Sequence, residues 1–562
     1  MLEIKTLSCM AKVFPSKIFG KEIDLIEGAR NQELSYQIAL SGEGEYDFSF
    51  MSNMQGLRFY RVGYVPSDLP IYEGTDDDNY LTYEKGLFPD PLFPFDGKIT
   101  LKKGQYETIW VTIPKKDKLA CAYKVVASFL KDGVVEGESV MEISIHDFLL
   151  PEQRTYFTQW FHNDCIASVH GVEILSDAHF ELIEKYMALA SEHGVNLILT
   201  PVLTPPLDTE EGGERPTVQL VDITLENGEY SFDFTNLIRY AEIAKKCGIK
   251  NIEVNHMFTQ WGAKHAPKVM ARVDGEYKKI FGWETDASSE EYAHFLSKLI
   301  PEVIKTLEGV GFSKENIFFH ISDEPSLKDL EQYKSAHDIL TPLIEGCTQI
   351  DAISNAEFFK EGLIKTPVVS INHIDYFMHE GITDFWGYNC CAQSSTVSNR
   401  FFDMPSARHR MIGTQIFKYD IKGFLHWGYN FYYSRFSKVQ DLNPYEETSA
   451  LGAFPSGDAF SVYPYKDGPI PSIRLKIFLY ALDDVRLLRL VEKTVGTIGT
   501  YRVINACAKR DLTMIDYPYD ETFFEWLYTA CFNLLYDCEH LPDFYDEFVE
   551  DIQKKKKEEK KK

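Results

Sequence analysis

The chain has 562 residues, of which 44% are apolar and 25% charged, so it is a folded rather than a disordered protein. Its length predicts two or three domains. The net charge of −27 argues against nucleic acid as a partner, because phosphate binding needs clustered lysine and arginine. No run of about 18 apolar residues occurs, so no membrane span is expected. The Lys-rich end, broken by Glu558 and Glu559, is predicted to be a solvated tail.

The N-terminus and the cysteines bear on the cellular compartment. The first residues contain no apolar stretch of the length that a secretory signal needs. The ten cysteines are scattered without a CxxC motif, and the one adjacent pair is Cys390 and Cys391. These patterns predict a cytoplasmic protein with reduced thiols, no bound metal and no cofactor. The sequence does not indicate an oligomeric state.

Residues 1–150 are predicted to form a β-sandwich domain. Short apolar segments alternate with Gly, Asp and Pro clusters and show little helical periodicity. The strand candidates are SYQIAL, LRFYRVGYV, YETIWVTIP, YKVVASFL and VMEISI. A domain of this type usually has about five to nine strands.

Residues 151–490 are predicted to form a (β/α)₈ barrel. Short apolar runs alternate with amphipathic stretches, two of which close on Gly194 and Gly248. The eight strand candidates are FTQWF, NLILTPVL, NIEVNHM, NIFFHIS, DAISN, VVSIN, DFWGYN and GFLHW. Helical segments beyond about Ile473 complete the barrel or pack on it, and residues 491–562 are predicted to be a C-terminal helical segment with the charged tail.

Most of the barrel strand candidates end in polar or aromatic residues. In such barrels the chemistry lies at the carboxyl ends of the strands, so these side chains are expected to form one rim. Aromatic rings stack on the apolar face of a sugar, while amides and acids bind its hydroxyl groups. Lysine and arginine are few there, and no phosphate-binding GxxxxGK[ST] loop is present. The rim therefore favours a neutral, polyhydroxylated ligand. The predicted binding residues are His256, Trp261, Asn355, Tyr388, Asn389, Trp427 and Asn430.

Adjacent carboxylates, Asp323 and Glu324, follow the fourth strand candidate. One interpretation is structural, because acidic residues are favoured before a helix. Ser326 and Asp329, however, already have capping-box spacing for the helix that follows. Placement at a barrel strand end favours a catalytic pair instead.

Several other candidate binding residues are also compatible with a purely structural role in the core. His256 is equally compatible with a buried core histidine, and His320 is interpreted as packing because it alternates away from Asp323. Trp427, like Trp386, is as compatible with the core as with a ligand platform. Asn389 and Asn430 are stronger binding candidates, because a buried unpaired amide is costly.

Four motifs resemble those of glycoside hydrolase family 123. They are SDEP at a strand end, the loop WGAKHAPKVMARVDGEYKKIFGWETD, the strand HWGYNFYY and the segment GDAFSVYPYKDGPIPSIRL. The N-terminal pieces GARNQELSYQIAL and YETIWVTIP are also similar, so the resemblance spans residues 25–490. It implies an N-terminal β-sandwich, a (β/α)₈ barrel and β-N-acetylgalactosaminidase activity.

The resemblance also implies roles for the adjacent acids. Glu324 would protonate the leaving oxygen, and Asp323 would stabilise the substrate's 2-acetamido group as it becomes an oxazolinium ion. The partner is then a small oligosaccharide with a terminal N-acetylhexosamine. An independent argument agrees: ordinary glycosidases place two carboxyl groups on opposite sides of the sugar, about 5 Å or more apart, which consecutive residues cannot easily do.

Two alternatives stay open. A two-carboxylate retaining glycosidase on sugars without an acetamido group needs a second acid at another strand end, and Asp164, Asp375 and Asp384 are poorly placed for it. A carbohydrate-binding protein without activity is the other alternative, although both carboxylates are present. The choice between galacto and gluco sugars depends on one hydroxyl group, whose partner the sequence does not assign.

Overall fold

The structure of the protein is a computed structural model that describes residues 2–75 and 77–540. The Lys-rich tail predicted from the sequence lies outside the described residues. The N-terminal strands are β1 (Glu3–Ser8), β2 (Lys12–Val13), β3 (Ile18–Phe19), β4 (Leu25–Ala29), β5 (Leu34–Ser41), β6 (Gly44–Ser52), β7 (Arg58–Ser67), β8 (Gly86–Pro94), β9 (Lys98–Leu101), β10 (Tyr106–Ile113), β11 (Ala122–Lys131) and β12 (Val134–His146).

These strands form a β-sandwich, as predicted. One five-stranded sheet has the order β1-β5-β10-β7-β8 and the other has the order β4-β12-β11-β6-β9. Side chains of both sheets, among them Ile38, Ile109, Val125 and Met141, share one buried core. The domain has more strands than predicted, because several carry no clear alternation. β8, with the sequence GLFPDPLFP, is an edge strand, where proline is tolerated because one side of the strand has no partner.

The strands after the sandwich include the barrel and three hairpins. They are β13 (Tyr156–Gln159), β14 (Leu197–Thr200), β15 (Asp222–Glu226), β16 (Glu229–Asp233), β17 (Asn251–Val254), β18 (Val269–Val273), β19 (Glu276–Phe281), β20 (Ile317–Phe319), β21 (Thr348–Ile353), β22 (Thr366–Ser370), β23 (Trp386–Asn389), β24 (Gly423–His426), β25 (Val462–Tyr465) and β26 (Gly468–Pro471).

Eight of these strands form the barrel. They pair in parallel in the order β13-β24-β23-β22-β21-β20-β17-β14, a nearly closed sheet. Each overlaps one of the eight strand candidates, so the TIM-type barrel predicted from the sequence is confirmed. The hairpins β15–β16 and β18–β19, which follow β14 and β17, join into a separate four-stranded sheet.

Helices alternate with the barrel strands and end the described chain. They are α1 (Asn163–His170), α2 (Asp177–Glu192), α3 (Thr235–Lys246), α4 (Glu290–Val310), α5 (Leu330–Leu340), α6 (Glu357–Lys360), α7 (Ile374–His379), α8 (Ser406–Lys418), α9 (Ile473–Ala508) and α10 (Thr522–His540). The predicted glycine stops follow α2 and α3: Gly194 and Gly248 have φ of 90° and 86°, a left-handed conformation that glycine adopts without strain. Within the described ranges, every helix is too short or too polar to cross a membrane.

Helix α9 joins the barrel to the sandwich. Ile473 and Ile477 of this helix pack against Val62, Leu92 and Trp110 on the outer face of the first sheet. That sheet is therefore buried on both faces, which explains the almost uninterrupted burial of β5. The helix runs through position 490, and its residue Gly496 has a non-helical φ of 72°.

Candidate active site

A cavity of about 490 Å³ opens at the carboxyl ends of the barrel strands. Its floor includes Trp160, Tyr388 and Leu425, whose exposed fractions are 3%, 3% and 2%. Trp261, which is 43% exposed, lies at its mouth. The cavity size falls within the range of about 300–1,000 Å³ that is usual for small-ligand sites.

Asp323 and Glu324 line this cavity in the loop after β20. The backbone N–H of Trp261 donates to the carbonyl of Asp323 over 2.7 Å, and the N–H of Glu324 donates to the carbonyl of Ala352 over 3.1 Å. Glu324 has a φ of 43°, a left-handed conformation that costs a non-glycine residue energy. Two neighbouring strand ends thus hold a strained backbone that aims both carboxyl groups into the cavity.

Glu324 has the environment of an acid that keeps its proton. Solvent in the cavity reaches the side chain, but protein surrounds it at depth, and this burial raises the pKa of Glu324. The hydroxyl of Tyr388 donates to Oε1 over 2.5 Å, which stabilises the charged form and lowers the pKa in part. A carboxyl group with a raised pKa at a cavity is suited to general acid catalysis.

Asp323 differs from its neighbour because its carboxyl group has no hydrogen-bond partner among the described residues. Burial raises its pKa well above the ordinary value, and the charge of Glu324 raises it further. Two carboxyl groups this close do not ionise together readily, so the pair tends to hold a proton. The oxygens of Asp323 are free to accept a hydrogen bond from a ligand.

Beneath this pair lies a second set of buried ionisable groups, Glu253, His320 and Asp351. His320 Nε2 lies 2.7 Å from Oε1 of Glu253, and Nδ1 lies 3.5 Å from Oδ1 of Asp351. Burial alone would lower the pKa of His320, but the attraction of the two carboxylates outweighs it and raises the pKa to about 9. His320 was interpreted from the sequence as packing; in the structure it lies buried between two acids.

His256 completes this lower layer. Its ring stacks on that of His320 with centroids 4.3 Å apart, and neither of its nitrogens has a hydrogen-bond partner in the part of the chain that the structure describes. Among the described residues, the donor atoms of His256, His320 and Asp351 are close enough to hold a metal ion, within 4.8 Å of one another. The two imidazole planes are inclined by only 23°, so their in-plane lone pairs do not converge readily on one ion, and both oxygens of Asp351 accept other hydrogen bonds. The group therefore suits a cation poorly.

The helix-cap interpretation of the acidic pair is not supported. Ser326 and Asp329 form the capping box of the following helical turn, with the Ser326 hydroxyl 2.6 Å from Asp329 Oδ2. The carboxyl groups of Asp323 and Glu324 point into the cavity and take no part in that cap.

Residues 160–491 match the family model described as the catalytic domain of glycoside hydrolase family 123. The chain belongs to glycoside hydrolase family 123. The match begins in the first barrel strand region and ends within α9, so it covers every side chain of the barrel that lines the cavity.

Solved structures agree with this membership at the level of the fold. A family 123 glycoside hydrolase from Clostridium perfringens, studied for glycolipid glycan hydrolysis, superposes with a TM-score of 0.70 at 13% sequence identity, covering 98% of this chain and 100% of that one. A family 39 glycoside hydrolase from Bacteroides cellulosilyticus is much less similar, with a TM-score of 0.33 at 9% identity over 79% of this chain and 80% of that one. No curated protein matches the sequence.

The structure brings three of the predicted binding residues to the cavity with the acidic pair: Trp261, Tyr388 and Trp427. Trp427 is oriented by its ring N–H, which donates to Oδ2 of Asp458 over 2.7 Å. Asp164, the first acid considered for the two-carboxylate alternative, lies away from the cavity in a buried ion pair with Arg215.

The other four predicted binding residues do not line the cavity. His256 is in the layer below. Asn355 precedes α6, and its side chain accepts a hydrogen bond from the N–H of Glu357. Asn389 follows Tyr388 on β23 and points to the opposite face, as alternation along a strand requires. Asn430 is fully buried, and its amide is satisfied by the backbone of His162: Oδ1 accepts from the N–H, and Nδ2 donates to the carbonyl.

Several cavity residues were not predicted from the sequence: Tyr72, Trp160, Asp208, Gln260, Cys390, Cys391, Arg435 and Phe454. Asp208 and Arg435 lie in long loops after β14 and β24. They were not predicted because they are several residues away from the strand ends. Tyr72 belongs to the loop between β7 and β8 of the sandwich, where its hydroxyl donates to the carbonyl of Ala453 over 2.9 Å. No pattern within the barrel sequence could have identified a residue from the other domain.

Proposed function

We propose that this family 123 enzyme is exo-acting and removes terminal β-linked N-acetylgalactosamine with retention of configuration, through a substrate-assisted mechanism. The observation that carries the proposal is the adjacency of Asp323 and Glu324 in one cavity, with Asp323 unbonded and Glu324 bonded to Tyr388. Consecutive residues do not straddle a sugar ring, whereas a substrate with its own acetamido nucleophile needs no carboxylate on the opposite side.

Glu324 and Asp323 have different roles in this mechanism. Glu324 donates its proton to the glycosidic oxygen while the acetamido oxygen attacks the anomeric carbon, so the bond to the leaving group breaks as the ring of the oxazolinium ion forms. Asp323 accepts a hydrogen bond from the acetamido N–H and stabilises the positive charge that develops there. Glu324, now a carboxylate, takes a proton from the water that opens the oxazolinium ion and restores the acid.

The cavity floor supports recognition of a terminal sugar. Trp160 and Trp427 offer aromatic faces, and Tyr388 is fixed by its bond to Glu324. A buried floor closes the cavity below the acidic pair, so a sugar that enters ends the glycan chain. This supports exo-acting hydrolysis.

One observation favours a second candidate function. Asp208 is a third carboxyl group in the cavity, and burial raises its pKa to about 6, partly offset by the charge of Arg215. It comes from a different strand end than Glu324, as a two-carboxylate retaining glycosidase requires. In that function Asp208 would be the nucleophile, and the substrate would not need an acetamido group.

The deciding experiment compares an aryl β-N-acetylgalactosaminide with the aryl β-galactoside that lacks the acetamido group. We expect the enzyme to cleave the first and not the second, and a thiazoline analogue of the oxazolinium ion to inhibit it strongly. Comparable cleavage of the galactoside, with a sugar trapped covalently on Asp208, would establish the second function instead. Absence of cleavage of either substrate would contradict both functions.

A further inference from the structure

Two adjacent thiols lie in the wall of the cavity and take no part in the proposed reaction. Cys390 follows Asn389, the last residue of β23, and both Cys390 and Cys391 line the cavity. Successive side chains on a strand point to opposite faces, but the strand has ended here. The carbonyl of Cys390 accepts a hydrogen bond from the N–H of Gln393 over 3.2 Å, which closes a turn. The turn allows both thiols to face the cavity.

The two thiols are close to each other and to the proposed acid. A hydrogen bond with the thiol of Cys391, together with burial, raises the pKa of Cys390 well above its ordinary value, and the charge of Glu324 adds to the rise. Burial, and then the charges of Glu324 and Cys390, raise the pKa of Tyr388 in turn. Both cysteines are partly exposed, so a small solute in the cavity can reach their sulfur atoms. The dithiol therefore lies beside the acid and the tyrosine that binds it.

Thiols in contact can be oxidised to a disulfide by a peroxide in two steps. A thiolate attacks one oxygen of the peroxide and becomes a sulfenic acid, while the other oxygen leaves and takes up a proton. The second thiol then attacks that sulfur, and the sulfur–sulfur bond forms as water leaves. The peroxide gains the two electrons that the sulfur atoms lose. Cys390 is the poorer attacking group because its pKa is raised, so Cys391 takes the first step and Cys390 the second.

Closing this bond would disturb the end of β23. Consecutive Cα atoms are about 3.8 Å apart, whereas a disulfide usually joins Cα atoms about 4.4–6.8 Å apart, so the closed ring is strained. The backbone of Cys390 is fixed on both sides: its N–H donates to Gln393 Oε1 over 2.8 Å, and its carbonyl accepts from Asn399 Nδ2 over 2.9 Å. Strain at Cys390 is therefore transmitted along the strand to Tyr388, whose hydroxyl binds Glu324. A strained disulfide is also reduced readily, so the change is reversible.

We propose that Cys390 and Cys391 form a peroxide-sensitive dithiol, and that its oxidation to a disulfide reversibly inactivates the enzyme. The oxidant is hydrogen peroxide or an organic hydroperoxide small enough to enter the cavity. The inference goes beyond the proposed function and does not depend on it, because the two sulfur atoms react with a peroxide whichever sugar the cavity binds.

The test treats the reduced parent enzyme with hydrogen peroxide and measures two quantities. Peptide mapping by mass spectrometry should show that the peptide containing Cys390 and Cys391 has lost two hydrogen atoms. On whichever aryl glycoside the parent enzyme cleaves, kcat/KM should fall about 10²-fold, because a displacement of about 1 Å in a catalytic site can cost that much. Dithiothreitol should restore both the mass and the activity.

Two variants separate this dithiol from other oxidation. Cys391→Ser lacks the attacking thiol, so after peroxide it should retain most of the activity of its own untreated sample. Cys121→Ser is the matched control, because this thiol is exposed at the start of β11 in the sandwich, and its removal should leave the peroxide response of the parent unchanged.

The outcomes distinguish the dithiol from the proposed function. A peptide map without the disulfide, a disulfide that forms while activity is retained, or equal inactivation of Cys391→Ser and the parent would each overturn the proposal. A parent enzyme that cleaves the galactoside and not the N-acetylgalactosaminide would contradict the proposed function, and the response to peroxide would still test the dithiol on the galactoside.

Discussion

The barrel contains two pairs of acids, one above the other, with opposite surroundings. In the lower pair, Glu253 accepts hydrogen bonds from Thr158, Trp160 and His320, and Asp351 accepts them from Tyr333 and two backbone N–H groups. In the upper pair, Glu324 has one partner, Tyr388, and Asp323 has none among the described residues.

The difference matches a structural use of the lower pair and the catalytic use that we propose for the upper pair. Buried carboxylates that are paired and fully hydrogen-bonded have their acceptor positions already occupied by the protein. Carboxyl groups that face a cavity with unoccupied acceptor positions keep hydrogen-bonding capacity that is available to a substrate. Substitutions in the upper pair should therefore lower activity, and substitutions in the lower pair should lower stability.

The largest effect is expected for Glu324→Gln in the upper pair. Without a proton donor, kcat/KM on a natural glycoside should fall about 10²–10⁴-fold, because a basic alkoxide leaves poorly without protonation. An activated aryl leaving group should depend on the acid far less. Steady-state kinetics on both substrates measure the difference, and equal losses on the two would assign the acid role to another residue.

In the lower pair, His320→Gln should reduce stability. Removing the cation leaves Glu253 and Asp351 buried without compensation, which should lower the free energy of unfolding by about 3–5 kcal/mol. Denaturant titration at pH 6 measures it. The matched control is His337→Gln, because this histidine pairs with the exposed Asp338 and should contribute little.

The loss should also depend on pH. The pKa of His320 is about 9 in the folded protein and 6.5 ordinarily, so its stabilising contribution is complete below pH 6.5 and disappears as the pH rises through 9. The stability difference between the parent and His320→Gln should therefore shrink between pH 6.5 and 10. A difference that stays constant over this range would show that His320 is not charged in the folded state.

Asp323→Asn should lower activity and raise stability in the same variant. Loss of the charge that stabilises the oxazolinium ion should lower kcat/KM about 10²-fold. The free energy of unfolding at pH 7 should rise, because burial and Glu324 oppose ionisation of Asp323 in the folded state. Asp351→Asn is the counterpart in the lower pair and should lower stability, because the amide nitrogen cannot accept the hydrogen bond that Oδ2 takes from the Tyr333 hydroxyl. A loss of stability in both variants would contradict the contrast.

The smallest effect is expected for Tyr388→Phe. The Tyr388 hydroxyl stabilises the charged form of Glu324, so its removal should raise the pKa of that acid. Because the role proposed for Glu324 requires its protonated form, the basic limb of the pH profile of kcat/KM should move to higher pH. Tyr123→Phe in the sandwich is the control, since its hydroxyl bonds to the carbonyl of Leu119 far from the cavity. A shift to lower pH would contradict the bond's role.

The sequence predicted the barrel well because each strand is a short apolar run between helices with clear stops. It predicted the position of Asp323 and Glu324 at the barrel rim because they follow a strand directly. Prediction failed where the direction of a side chain decides whether it reaches the cavity. Tyr388 and Asn389 are neighbours on one strand, but Tyr388 faces the cavity and Asn389 faces away from it, because successive side chains alternate. It also failed for Asp208 and Arg435, because the conformation of a long loop depends on tertiary contacts that local patterns do not encode.

The loop between β7 and β8 makes the two domains interdependent. It supplies Tyr72 to the cavity wall, and Asp77 is anchored on the barrel by a buried bond of 2.7 Å to Arg408. A truncated protein limited to residues 160–491 would lose this wall and expose the apolar side of α9 to water. A fusion protein that contains the barrel alone would therefore be prone to aggregate, and its cavity would lack one wall. Mutational libraries aimed at specificity should include the sandwich loop.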